Sequence, residues 1–123
     1  MKNVLLVIKN AKLRFQIRNT LSMNMFHPIA ANNYVEAIQL AQEQYPEFII
    51  TDLDVFQNDD YEILKQLREL TLLNQIPILL LNNQIDHNFC LKVWQLGITL
   101  FLPQPLNPDL IVKLISEQLK QAS

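Results

Sequence analysis

The sequence predicts a three-layer, doubly wound α/β domain in which five parallel strands alternate with five helices. Three observations support this fold class. Five short apolar runs have the length and composition of buried strands, at residues 4–8, 27–31, 48–52, 76–81 and 98–102. The stretches between them carry apolar residues three and four positions apart, which is the spacing of amphipathic helices. The connections are short, and such alternation is typical of a parallel sheet covered by helices on both faces.

The composition is that of one folded domain. The chain has 123 residues, half of them apolar, and we expect a single domain over residues 1–123. Its net charge of −2, without a basic stripe, argues against direct nucleic-acid binding. No apolar run is long enough to span a membrane, and the single cysteine, Cys90, suits a cytoplasmic location. The single glycine, Gly97, excludes a glycine-rich phosphate-binding loop.

In the first half of the chain, polar residues predict where the helices begin. Asn10 is placed to cap the first helix, and either Asn32 or Asn33 is placed to cap the second. Pro28, near the start of the second apolar run, predicts an edge strand. The apolar faces expected for these two helices are Leu13, Ile17 and Leu21, and Val35, Ile38 and Ala41.

In the second half, either Asp59 or Asp60 is the expected cap of the third helix. A fourth helix over residues 86–96 is predicted to end at Gly97 in the left-handed conformation. Asn107 or Asp109 is expected to open the last helix. The apolar residues expected on that helix are Leu110, Ile111, Leu114, Ile115 and Leu119.

The apolar run at residues 48–52 ends in Asp52, and Asp54 follows two positions later. An uninterrupted apolar run is typical of a central strand that is buried on both faces. In open α/β sheets, ligands and reactive groups lie just beyond the carboxyl ends of the strands. Asp52 is therefore the candidate functional residue of the chain.

The segments resemble, in order and spacing, the receiver domains of bacterial response regulators over essentially the whole chain. Residues 46–53, Pro-Glu-Phe-Ile-Ile-Thr-Asp-Leu, are similar to the family's strand that leads to its phosphoacceptor aspartate. Further similar segments lie at residues 76–81, 96–97, 101–102 and 104–105. The resemblance implies a flavodoxin/CheY-like sheet with strand order 2-1-3-4-5, a phosphoacceptor position at Asp52 and a switch aromatic at Phe101.

Several positions of the family's phosphorylation site carry other residue types here. The two metal-binding acids after the first strand are replaced by Ile8 and Lys9. Asn82 and Asn83 replace a hydroxyl residue and a small residue after the fourth strand, and Gln104 replaces the family's invariant lysine. Because phosphoryl transfer to an aspartate needs a divalent cation to offset negative charge, we expect no Mg²⁺ and no other cofactor.

The substituted pocket is expected to be degenerate. Two arrangements remain open for Lys9: its ammonium pairs with Asp52 in place of a bound cation, or it extends into solvent without a partner. Asp54 is expected to point back toward the pocket, beside the amides of Asn82, Asn83 and Gln104. Such a rim is polar but carries little charge.

Three functions follow from these expectations. The favoured one is a pseudo-receiver of a two-component system, which is not an enzyme and acts by contact with a histidine kinase, an output domain or another signalling protein. The second is a working receiver that a histidine kinase phosphorylates on Asp52 in a phosphorelay, and it would use Mg²⁺. The third is a small hydrolase or transferase that uses Asp52 and Asp54, for which the fold alone is no argument. The chain is expected to be a complete protein or the first domain of a longer regulator.

The helix at residues 86–96 carries more apolar residues than one core contact requires. Phe89, Val93 and Leu96 form one face, and Cys90 and Trp94 form an adjoining strip. In the family, the fourth helix, the fifth strand and the last helix form a surface for dimers and partners. We therefore expect Cys90 and Trp94 in an interface with a partner or in a homodimer; the other interpretation is that Trp94 only covers a helix boundary.

Overall fold

The computed structural model describes residues 1–72, 75–104 and 107–121 and shows an alternating α/β fold. The strands are β1 (Lys2–Val7), β2 (Phe26–Ala30), β3 (Phe48–Thr51), β4 (Ile78–Asn82) and β5 (Leu100–Pro103). The helices are α1 (Ala11–Met23), α2 (Tyr34–Glu43), α3 (Asn58–Leu72), α4 (His87–Gln95) and α5 (Pro108–Gln121). All neighbouring strands pair in parallel, in the order β2-β1-β3-β4-β5. The predicted fold class and strand order are confirmed.

Side chains of the central strands alternate between two hydrophobic clusters. Leu5 and Ile49 lie in a cluster with residues of α2, α3 and α4. Leu6 and Ile50 lie in a cluster with residues of α1 and α5 on the opposite face. Because both faces of β1 and β3 are covered, neither strand has a solvent face that would require polar residues. This two-sided burial explains the uninterrupted apolar runs.

The expected helix boundaries are largely present. The side chains of Asn10, Asn33 and Asp86 each accept a hydrogen bond from the backbone N–H three residues later. The side chain of Asn107 accepts from the N–H of Asp109, two residues later, at the start of α5. Gly97 follows α4 with a φ of +72°, which confirms the left-handed end predicted there.

Three expectations about the helices are wrong, two about buried faces and one about a cap. Val35 is 78% exposed, because the cap at Asn33 turns Ala37 rather than Val35 toward the sheet. Leu110 is also exposed, on the outer side of α5, while Ile111 and Ile115 are buried. Because α3 already begins at Asn58, Asp59 and Asp60 lie inside its first turn and not at its cap.

Candidate functional site at the carboxyl end of the sheet

The carboxyl ends of neighbouring strands bring most of the candidate residues together. Asp52 follows β3, and its backbone N–H contacts the carbonyl of Val7 at the end of β1, at 3.4 Å. A cavity of about 210 Å³ opens there, lined by Asn10, Asp52, Asp54, Leu81, Asn82, Asn83 and Gln104. Ile8 and Lys9 line a neighbouring cavity of about 330 Å³, together with Arg14 and Tyr34.

The Asp52 carboxylate is bound to the connection between β1 and α1. Its Oδ1 accepts the N–H of Lys9 at 2.7 Å, and its Oδ2 accepts the N–H of Asn10 at 3.1 Å. The carboxylate therefore lies at the start of α1, where the helix dipole favours negative charge. Each oxygen of Asp52 already has a backbone donor.

The Lys9 side chain has a different partner from the one expected. Its ammonium Nζ lies 2.6 Å from Oδ2 of Asp60, in the first turn of α3. The predicted Lys9–Asp52 ion pair is wrong, and so is the alternative of an unpaired Lys9. The physical reason is that backbone N–H groups already bind Asp52, whereas the buried Asp60 carboxylate needs a cation.

Asp60 is the centre of a buried polar network. It is 2% exposed; its Oδ1 accepts the Tyr34 hydroxyl at 2.6 Å, and its Oδ2 accepts Lys9 Nζ and the N–H of Asp54 at 2.8 Å. Burial acts to raise the pKa of Asp60, but the hydrogen bonds from Lys9, Tyr34 and Asp54 outweigh it and lower the pKa below 3.8. Burial and the bond to Asp60 raise the pKa of Tyr34 to about 12. The network therefore holds an ionised carboxylate and a neutral phenol.

Sequence reasoning missed the role of Asp60 and of Tyr34. The pattern that points to Asp60 is present in α3, where Asp60, Leu64 and Leu67 follow the i, i+4, i+7 spacing of one helix face. Leu64 and Leu67 are both buried, and Asp60 shares their side of the helix. A carboxylate on a buried face requires partners, and Lys9 supplies the charge that it needs.

Two further polar side chains of the cavity, those of Asp54 and Asn82, take part in local turns. Oδ1 of Asp54 accepts the N–H of Phe56 at 2.9 Å, and Oδ1 of Asn82 accepts the N–H of Gln84 at 3.1 Å. The backbone N–H of Gln104 donates to the carbonyl of Asn82 at 2.9 Å, which joins the ends of β4 and β5. These bonds fix the rim of the cavity without adding positive charge.

The response regulator receiver domain family matches this chain over residues 4–116. The chain belongs to that family. Relatives of this receiver domain include the "Probable transcriptional regulator ycf29" of Porphyra purpurea, 31% identical over 113 residues that cover 92% of the chain and 54% of that protein. The "Phosphate regulon transcriptional regulatory protein PhoB" of Escherichia coli K12 is 21% identical over 99% of the chain and 53% of its own length. The receiver domain thus spans about half the length of these relatives.

Solved structures share the receiver fold. The Vibrio cholerae chemotaxis protein CheY4 superposes with a TM-score of 0.83 at 25% identity, covering 95% of this chain and 98% of that one. A two-component response regulator from Clostridium difficile has a TM-score of 0.87 at 17% identity, covering 100% and 99%. In the described part of this receiver domain, no helix is long and apolar enough to cross a bilayer.

The two residues that follow β1, Ile8 and Lys9, offer no side-chain carboxylate to a Mg²⁺ ion. The ion requires a near-octahedral shell of oxygens, usually with one or two carboxylates. Here Ile8 is buried among apolar residues, and the ammonium of Lys9 is bound to Asp60. Over residues 1–72, 75–104 and 107–121, no three Asp, Glu, His or Cys side chains are grouped to hold a metal ion.

The α4 side of the receiver domain separates into a buried and an exposed strip. Phe89 and Val93 are buried, and the Phe89 ring meets that of Phe101 edge to face, with centroids 5.7 Å apart and planes at 86°. Cys90 is half-buried, and Trp94 is 74% exposed. Phe101 on β5 is thus held against α4, and the Trp94 indole faces solvent.

Proposed function

We propose that this receiver domain signals through protein contacts, without Mg²⁺-dependent phosphorylation of Asp52. The observation that carries the proposal is the Lys9–Asp60 ion pair at 2.6 Å. Lys9 stands where the family has a metal-binding acid, and its ammonium serves a buried carboxylate. The position that would help to hold a metal cation thus carries an ammonium that is already paired with a carboxylate of the fold.

The charges available around Asp52 support the same proposal. A phosphoryl group arriving at Asp52 brings negative charge that a receiver normally offsets with a metal ion and a lysine. In this chain the second of these positions carries Gln104, which supplies neutral N–H donors and no charge. The Asp52 oxygen that bonded to phosphorus would also lose much of its strength as an acceptor for the backbone N–H of Lys9 or Asn10.

The experiment that tests this proposal is intact-mass measurement after incubation with a small phosphodonor and Mg²⁺. We expect the mass of the wild-type protein to stay unchanged, as that of Asp52→Ala does. A receiver domain that accepts phosphate from the same donor, in the same tube, verifies the reagents. A phosphoryl-sized increase that is absent in Asp52→Ala would contradict the proposal and establish Asp52 as a working phosphoacceptor.

Contact with partners is proposed for the strip of Cys90 and Trp94 on α4. Exposed aromatic side chains are favoured anchors of protein interfaces, and Trp94 extends beyond the buried face of its helix. The partner is a second copy of the domain, through α4, β5 and α5, or a histidine kinase or output domain. The names of ycf29 and PhoB describe transcriptional regulators about twice as long as this chain, which favours an output domain as the recipient of the signal.

Trp94→Ala is expected to weaken self-association at least about tenfold, because a central aromatic anchor contributes about 2 kcal/mol or more. Sedimentation velocity over a range of protein concentrations measures this change. Phe15→Ala is the matched control, since Phe15 is a 65% exposed aromatic residue on α1. Wild-type protein that sediments as a monomer throughout, or an equal effect of both substitutions, would contradict a homodimer through Trp94.

A further inference from the structure

A separate cavity of about 370 Å³ lies at the end of the sheet opposite Asp52. It is formed where the chain enters β4 and β5, at residues 75–78 and 97–100. Arg68 of α3 and Gln118 of α5 complete its lining. Asp52 and its neighbours lie at the carboxyl ends of the same strands, so the two sites share no residue.

The guanidinium of Arg68 is the distinctive group of this cavity. Its Nε and Nη2 lie 3.3 and 3.6 Å from the point where a Cβ would stand at Gly97, so the glycine makes room for it. Arg68 is half-buried, yet within residues 1–72, 75–104 and 107–121 its guanidinium has neither a carboxylate partner nor a hydrogen-bond acceptor. A guanidinium carries five N–H donors, and those of Arg68 stay accessible to water and therefore to a ligand, since no buried side-chain nitrogen in the described residues lacks a partner.

The surroundings of Arg68 define the charge of a suitable ligand. Arg68 carries the single formal charge among the lining residues, and Gln75, Thr99 and Gln118 add neutral polar groups. The carboxyl-terminal ends of α3 and α4 lie at this end of the fold, and their carbonyl dipoles oppose further negative charge. With one cation and the carboxyl-terminal ends of two helices nearby, the cavity should bind a singly charged anion more readily than a dianionic phosphate.

We propose that this cavity binds a small monocarboxylate, whose carboxylate pairs with Arg68. The planar fork of a guanidinium matches the two oxygens of a carboxylate. The apolar body of the ligand would lie against Ile76 and Pro77, and the amides of Gln75 and Gln118 line the same cavity. A volume of about 370 Å³ is in the range of small-molecule sites. The domain would thereby have a ligand input that is independent of Asp52.

Titration of the ¹⁵N-labelled protein with sodium benzoate tests this site. We expect saturable shifts of the Gly97 backbone amide and of the Gln75 and Gln118 side-chain amides, with a Kd on the order of 1 mM. Benzamide has nearly the same shape without the charge and is expected to bind at least about tenfold more weakly, because charge-assisted hydrogen bonds are the stronger ones.

Substitutions decide whether Arg68 carries the binding. Arg68→Gln is expected to weaken benzoate binding at least about tenfold, and Arg68→Lys, which keeps the charge but loses the fork, by less. Arg18→Gln, an exposed position on α1, and Asp52→Ala are expected to bind as the wild type does. Arg68 variants that remain folded and bind normally, equal binding of benzamide, or tighter binding of inorganic phosphate would each overturn the proposal.

Discussion

Replacing Asp60 by alanine is expected to lower the free energy of unfolding by about 2–3 kcal/mol. The substitution leaves the Tyr34 hydroxyl and the Asp54 N–H without the acceptor that both use in the folded protein. Lys9 contributes less to the loss, because its side chain is 43% exposed and can be hydrated. Urea denaturation measures the change. Asp59→Ala is the matched control, since Asp59 is exposed in the same helical turn, and we expect about 0.5 kcal/mol or less.

The pH dependence of stability distinguishes this network from a purely steric role of Asp60. The pKa of Asp60 is lower in the folded protein than its ordinary value of 3.8, so the folded state binds the proton less readily. Its stabilising contribution is therefore fully present above pH 3.8 and is lost as the pH falls through the lowered value. The difference in stability between wild type and Asp60→Asn should shrink below that pH. A difference that stays constant into acid, or equal effects of Asp59→Ala and Asp60→Ala, would contradict the role of the ion pair.

Phe89→Ala is expected to lower the free energy of unfolding by about 3–5 kcal/mol, the range for deleting a large buried side chain. Phe89 is buried on the inner face of α4, and its ring meets the Phe101 ring edge to face, with the centroids 5.7 Å apart. Phe101 is half-buried, so Phe101→Ala should cost less. Chemical denaturation of both single variants and of the double variant measures the coupling between the rings.

The expected coupling energy between Phe89 and Phe101 is about 0.5–1.5 kcal/mol. The interaction between the two rings should be stabilising, because each ring restrains the other. Additive effects of the two substitutions would show that Phe101 moves independently of α4. That outcome would contradict the view that this position of the receiver fold is held in one arrangement by its neighbour.

The strands and most helix boundaries could be predicted because they depend on local patterns. β1 and β3 are covered on both faces, and their apolar runs reflect this directly. The caps at Asn10 and Asn33 and the turn at Gly97 depend on residues within one helical turn. Val35 was misplaced because an apolar residue on a short helix fits two neighbouring faces equally well, and only the packing of α2 on the sheet decides between them.

The location of the site could be predicted, but the partners of its charges could not. Asp52 was expected at the end of a central strand, and parallel pairing places it beside the residues that follow β1. The partner of Lys9 depends on where α3 begins, and a shift of one or two residues changes which acid faces inward. Because α3 starts at Asn58, Asp60 lies on the same helix face as Leu64 and Leu67, and the Lys9 ammonium pairs with it there.

The two backbone bonds of Asp52 have a consequence for its removal. In Asp52→Ala, the N–H groups of Lys9 and Asn10 lose their acceptor and point, at the start of a helix, into space that the carboxylate filled. Without that acceptor the two N–H groups are left to water, which replaces charge-assisted hydrogen bonds less favourably. The variant is therefore expected to be less stable than the wild type, besides lacking the carboxylate. Intact masses compared on the denatured chains do not depend on this difference in stability, so the variant remains a valid blank for phosphorylation.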